Sequence, residues 1–224
     1  MRKNMILYHG SKNGLEGAVR PDAGRSACDF GSGFYMGDKP EQPKGLVAPY
    51  PNHIFYEIEC DFHGLRQKEF TDDYAGQIDW ALYIAYNRQI IDFSGYGKLQ
   101  ERYQAYNTCY DLMIGLIADD KMTQALNRFY DGILCDMGLL EALQHVKLGK
   151  QYVLKTAEAC SGNHIQIISS TTLSEKEKKL IIAENTNRIT QMQGLLNQIQ
   201  TKYRRAQNIR FFDEIIKEWN ESWN

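Results

Sequence analysis

The spacing of apolar and polar positions changes several times along the chain, and each change predicts an element. Met5 to Tyr8 is a short apolar run leading into His9-Gly10, the texture of a strand. Ile54, Tyr56 and Ile58 alternate with Phe55, Glu57 and Glu59 as a half-buried strand does. Ile78, Ala81, Leu82 and Ala85 recur at helical spacing, as do Met122, Ala125, Leu126 and Phe129, and Leu139-Leu140-Leu143 predicts another short helix. Gln151 to Lys155 and His164 to Ile168 read as late strands. The stretch Gly10 to Gly37 holds seven glycines and little periodicity, which predicts a long loop at the edge of the first strand. Loops of that length in a compact domain are usually functional.

The texture changes near Leu173, beyond which the chain has no proline and only Gly194. Ser174 followed by Glu177 is a capping box, and Ile182, Ile189, Met192, Leu196, Ile199 and Tyr203 then mark one apolar helix face. Phe211, Phe212, Ile215, Ile216, Trp219 and Trp223 predict a second, shorter amphipathic helix. The expected organisation is an α+β domain over residues 1–172 and a helical extension over residues 173–224.

Composition narrows the class. At 224 residues, with 43% apolar and 12% aromatic, the chain can bury a core without disulfide or metal staples. The formal charge of −2 removes the broad positive field of a dedicated nucleic-acid coat. It divides into +2 on the tail and −4 on residues 1–172. No window approaches the roughly 18 apolar residues of a membrane span, and Met5 to Tyr8 is too short for a signal-peptide core, so the cytoplasm is expected. Cys28, Cys60, Cys109, Cys135 and Cys160 form no C-x-x-C pair and read as reduced, mostly buried thiols. His53, His63, His145 and His164 lack ligand spacing, so no metal is expected.

Two segments carry candidate chemistry: Tyr8-His9-Gly10-Ser11, and Asp29-Phe30-Gly31-Ser32-Gly33-Phe34-Tyr35 with Gly37-Asp38 after it. Without a side chain, Gly10 lets a flat carboxamide lie against its backbone N–H and C=O. Tyr35 offers a rigid face for stacking, worth about 0.5–1.5 kcal/mol beyond burial. Gly31 and Gly33 permit a tight turn beneath it. Together these residues resemble the nicotinamide-binding fold of the ADP-ribosyltransferase superfamily, in the branch of diphtheria toxin and the poly-ADP-ribose polymerases. With Asp22, Arg25, Asn87-Arg88, Ile117-Ala118-Asp119-Asp120 and Gln151-Tyr152, residues 5–160 look like an uncharacterised bacterial family assigned to that superfamily.

The resemblance implies a split antiparallel β-sheet core with flanking helices, and NAD as co-substrate without a metal. It implies that His9 hydrogen-bonds a ribose hydroxyl, Ser11 supports the carboxamide and Arg25 approaches the pyrophosphate. Gly10, Phe30, Gly31, Gly33 and Tyr35 would form the cradle. Nicotinamide–ribose cleavage passes through an oxocarbenium-like transition state that favours a nearby carboxylate. In the resembled branch that group is the glutamate of an E-Y-[IV] strand. Here Gln151-Tyr152-Val153-Leu154 puts glutamine there, which can hydrogen-bond but supplies no charge. Asp119 or Asp120 either compensates or caps the helix that follows, and Asn87-Arg88 is either a helix stop or a phosphate clamp.

These expectations describe a mono-ADP-ribosyltransferase acting on a protein or nucleic-acid acceptor, as a toxin or phage-conflict effector. A small antitoxin would bind the apolar face of the tail. The competing expectations are a silent NAD or ADP-ribose-binding module, or an NAD glycohydrolase, acting through the tail, and a homodimer through the C-terminal helix. Glu57-Ile58-Glu59 imitates the E-x-E of arginine-specific transferases, but Ser169-Ser170-Thr171 follows it instead of preceding it. Asp29-Phe30-Gly31 spells a kinase metal motif without the kinase catalytic loop.

Overall fold

A computed structural model of the protein describes residues 4–24, 27–145 and 149–222. Seven strands, β1 (Met5–Ser11), β2 (Phe34–Gly37), β3 (Ile54–Cys60), β4 (Gln67–Glu69), β5 (Leu112–Leu116), β6 (Lys150–Leu154) and β7 (Ile165–Thr171), form one mixed sheet. Their order is β4-β5-β6-β2-β1-β3-β7. The β4–β5 pair is parallel, and the remaining pairs are antiparallel. The helices are α1 (Glu41–Val47), α2 (Tyr74–Asn87), α3 (Gly97–Cys109), α4 (Asp120–Tyr130), α5 (Asp136–His145), α6 (Glu175–Tyr203) and α7 (Phe212–Ser222). The chain is thus α+β with C-terminal helices. The expected loop from Gly10 to Gly37 ends in β2, and α1, α3 and β4 arise where the sequence pattern predicts no element.

Alternation along the central strands sorts side chains onto the two faces of the sheet. Met113 and Val153 join a cluster built on Trp80, Tyr83, Phe129 and Leu139. Leu112, Ile114 and Leu154 join the opposite cluster with Leu7, Met36 and Ile58. Tyr103 and Tyr106 of α3 are buried in the first.

The tail helices belong to that first cluster as well. The capping box at Ser174 and Glu177 starts α6. Met192, Leu196 and Ile199 are then buried against the body, and α6 packs on α4 and α5. The half of the apolar face expected to be free for a partner is therefore spent internally, while Leu180 and Ile182 remain exposed. Phe212 of α7 meets Phe129 and Tyr130 at centroid distances of 5.5 and 5.3 Å. Asp136 accepts from the Arg210 N–H at 3.1 Å and from the Tyr74 hydroxyl at 2.8 Å, locking the start of α7 to α5 and α2. Trp223 lies outside the described residues.

Among the described residues no helix is long and apolar enough to cross a membrane, and no group of three or more His, Cys, Asp or Glu is placed to hold a metal ion. The five cysteines are free thiols, with Cys60, Cys135 and Cys160 buried.

Candidate functional site

The site begins where β1 and β2 part. β1 pairs with β3 over its whole length, from Met5↔Cys60 to Ser11↔Ile54, but its register with β2 is Tyr8↔Gly37. His9 spans the opening with its side chain, Nδ1 donating to the Tyr35 carbonyl at 2.7 Å. A carbonyl only accepts, so this bond puts the ring proton on Nδ1 and leaves Nε2 as an acceptor. Burial pushes the His9 pKa below its ordinary value and keeps the ring neutral near pH 7. Phe34 packs against the imidazole at 4.4 Å.

Gly10 has a second reason to be glycine besides its backbone. A Cβ there would sit 2.7 Å from both the Pro43 carbonyl oxygen and Val47 Cγ1, so α1 can rest on β1 only because that atom is missing. The Tyr35 ring is pinned by its hydroxyl, which donates to the Gly31 carbonyl at 2.7 Å and accepts from the Phe30 N–H at 3.0 Å. Gly31 closes this turn at φ +69°, in the left-handed region that favours glycine, and its N–H reaches the Cys28 carbonyl. Gly33 serves packing: a Cβ would fall 2.4 Å from Val153 Cγ1.

His9, Gly10, Tyr35, Gln151, Asp119 and Asp120 all line one cavity of about 700 Å³, within the range of small-ligand sites. Gln151 pairs with Gly37 on one side and Gly115 on the other, is buried, and donates through Nε2 to the Leu116 carbonyl at 3.0 Å. Asp119 is the N-cap of α4: its Oδ1 accepts from the Lys121 and Met122 N–H groups at 3.1 Å, and its Oδ2 meets Lys121 Nζ at 3.0 Å. Its carboxylate is thereby committed to the helix. Asp120 occupies the first helical turn.

Other expected cradle residues have different positions. Phe30 is fully buried among Phe70 and Tyr83, at 5.5 and 5.4 Å, and is core instead of cavity wall. Ser11 donates to the Gly14 carbonyl at 2.7 Å and closes its own loop. Arg25 lies outside the described residues. Asn87 holds the glycine-rich turn by donating to the Asp29 carbonyl, whereas Arg88 lines the cavity with its guanidinium donating to the Asp29 carboxylate, so the pair also braces the loop.

Two contributors to the cavity were missing from the sequence reading. Asp29, which stands at the head of the candidate segment without a role assigned to it, lines the cavity with Gln151. The other is α6, whose Asn185, Arg188 and Ile189 form part of the cavity wall. α6 comes close to α1, where a Cβ at Gly45 would sit 2.9 Å from Asn185 Nδ2.

This is a cleft at a split in a sheet, walled by backbone, one fixed tyrosine, a neutral histidine and a buried glutamine. The chain belongs to a family described as proteins of unknown function, DUF3990, whose match spans residues 5–164. No curated protein and no solved structure matches the chain. Helices α6 and α7 fall beyond the matched segment.

Proposed function

We propose that the protein binds NAD in this cavity and transfers a single ADP-ribose to a macromolecular acceptor, as a mono-ADP-ribosyltransferase with an ADP-ribosyltransferase-like core. The observation that carries the reading is the convergence of His9, Gly10, Tyr35 and Gln151, drawn from three separate segments of the sequence, on one cavity at the opening between β1 and β2. NAD would supply an ADP-ribosyl group bearing a nicotinamide leaving group. The Tyr35 ring, immobilised by its hydroxyl, gives a stacking face at no ordering cost on binding. Neutral His9 presents Nε2 as an acceptor to a ribose hydroxyl, and a charged imidazolium could not accept that proton. Gln151 is held by Leu116 and can orient a second hydroxyl.

The alternative is a silent NAD or ADP-ribose-binding module. The neutral Gln151 and the commitment of Asp119 to capping favour it. One experiment separates the readings. Titration calorimetry of the full chain with NAD, paired with chromatographic detection of nicotinamide, is expected to show binding and release. Tyr35→Ala should weaken NAD by about tenfold, the equivalent of 1.4 kcal/mol. Wild-type protein that binds no NAD refutes both readings, and tight binding without nicotinamide release over hours leaves only the module.

A further inference from the structure

Asp29 is a half-buried carboxylate on the cavity wall that the sequence motifs leave without a task. Its partner is Arg88, and the geometry of the pair is one-sided: Nε at 2.8 Å and Nη2 at 2.5 Å both donate to Oδ1. A pair made only to hold a loop would be expected to use the fork geometry, one N–H for each oxygen, which is the stronger arrangement. Oδ2 is left clear of the guanidinium. Asp29 and Gln151 line the same cavity as His9 and Tyr35, and the polar groups of Gln151 and Ala118 favour the charged form of the carboxylate. The carboxylate is fixed from behind as well: Asn87 Nδ2 donates to the Asp29 carbonyl, and Arg88 is steadied by Thr123 Oγ1 at 3.4 Å.

We infer that Asp29 supplies the negative charge missing at Gln151, acting on the reacting ribose from the glycine-rich loop instead of from β6. The inference rests on the NAD reading above and names the group that would make that site catalytic. In the transfer, the bond from C1′ to the nicotinamide nitrogen breaks, and its electron pair leaves on nicotinamide. The acceptor's lone pair forms the new bond to C1′, and the proton the acceptor sheds passes to Asp29 Oδ2 and then to water. Gln151, neutral and hydrogen-bonded to Leu116, positions, while Asp29 supplies the charge. Burial raises the Asp29 pKa even though Arg88 opposes the shift, which suits a carboxylate that takes up a proton during turnover.

The test compares wild type, Asp29→Asn, Gln151→Glu and the double variant, each assayed for nicotinamide release, for ADP-ribose affinity by calorimetry and for thermal midpoint. Asp29→Asn is expected to lower kcat at least 100-fold while ADP-ribose affinity stays within about fivefold. Gln151→Glu in the Asp29→Asn background should recover at least tenfold of the loss, because a carboxylate returns to the same end of the cavity. Gln151→Glu alone should bring no gain, since two adjacent carboxylates cannot both stay charged there. Asp29→Asn that keeps kcat within threefold of wild type overturns the inference and leaves NAD transfer standing. So does a gain above tenfold from Gln151→Glu alone, which needs no folded Asp29 variant to be read. If wild type binds neither NAD nor ADP-ribose, the NAD reading falls and this inference with it.

Discussion

Leu196 decides whether the C-terminal helices are an appendage or part of the cooperative body. Its side chain is fully buried on α6, in the cluster that also holds Phe129, Leu139 and Ile215. Leu196→Ala removes three carbon-bound groups worth about 0.8 kcal/mol each by transfer. The cavity left behind adds to this, so the expected loss is about 2–5 kcal/mol. In a chain of this size each kcal/mol moves the thermal midpoint by roughly 2–4 °C, so a mid-range loss of about 3 kcal/mol lowers it by roughly 6–12 °C. The assay is a thermal scan followed by far-ultraviolet circular dichroism, which sees the helices, and by near-ultraviolet signal, which sees packed aromatics such as Trp80 and Tyr83. If tail and body are one unit, both signals shift together by that amount. A helical signal that melts early while the aromatic signal holds its wild-type midpoint would refute shared folding, as would a shift under about 2 °C.

Two further predictions follow from the site. Gly31→Ala forces an alanine to φ +69° and puts its Cβ 2.9 Å from Asn87 Oδ1; the left-handed conformation alone costs about 1–2 kcal/mol. Denaturant titration should show at least that loss, and NAD affinity should fall with it because the turn anchors the Tyr35 hydroxyl. Burial depresses the His9 pKa below 6.5, so between that value and 6.5 the unfolded chain binds a proton that the folded chain does not. The stability contributed by neutral His9 is whole above pH 6.5 and drains as pH falls toward the folded value. Urea midpoints measured from pH 7.5 to 5 should decline, and the decline should be shallower in His9→Gln; equal slopes would count against a buried neutral imidazole.

The sequence revealed those elements whose core face carries a regular aliphatic period. β3 and α4 show this: Ile58 and Met122 are fully buried at the positions their periods assign. α1 escaped because Pro43 and Gly45 are poor helix residues, and its place is set by a distant contact, the bare backbone of Gly10. α3 escaped because Leu99, Tyr103 and Tyr106 supply its buried side chains, and tyrosine marks a core weakly. At the site, the motif residues His9, Gly10, Tyr35 and Gln151 could be read because each sits on or next to a strand end with a recognisable neighbour. Asp29 could not, since its meaning depends on Arg88, 59 residues later, and on a glutamine from another strand. Asp119 was ambiguous between capping and chemistry, and the two N–H groups it accepts decide for the cap.

The wall contributed by Asn185, Arg188 and Ile189 makes occupancy of the cavity and docking of α6 a single linked equilibrium. A ligand that touches this wall binds the docked helix more tightly than the undocked one. Saturation to 100 times Kd therefore adds at most about 2.7 kcal/mol to the free energy of undocking, the limit reached when the undocked form does not bind. By reciprocity, anything that pulls α6 from α4 and α5 lowers ligand affinity by the same factor. A segment outside the DUF3990 match thus has thermodynamic control over the cleft within it.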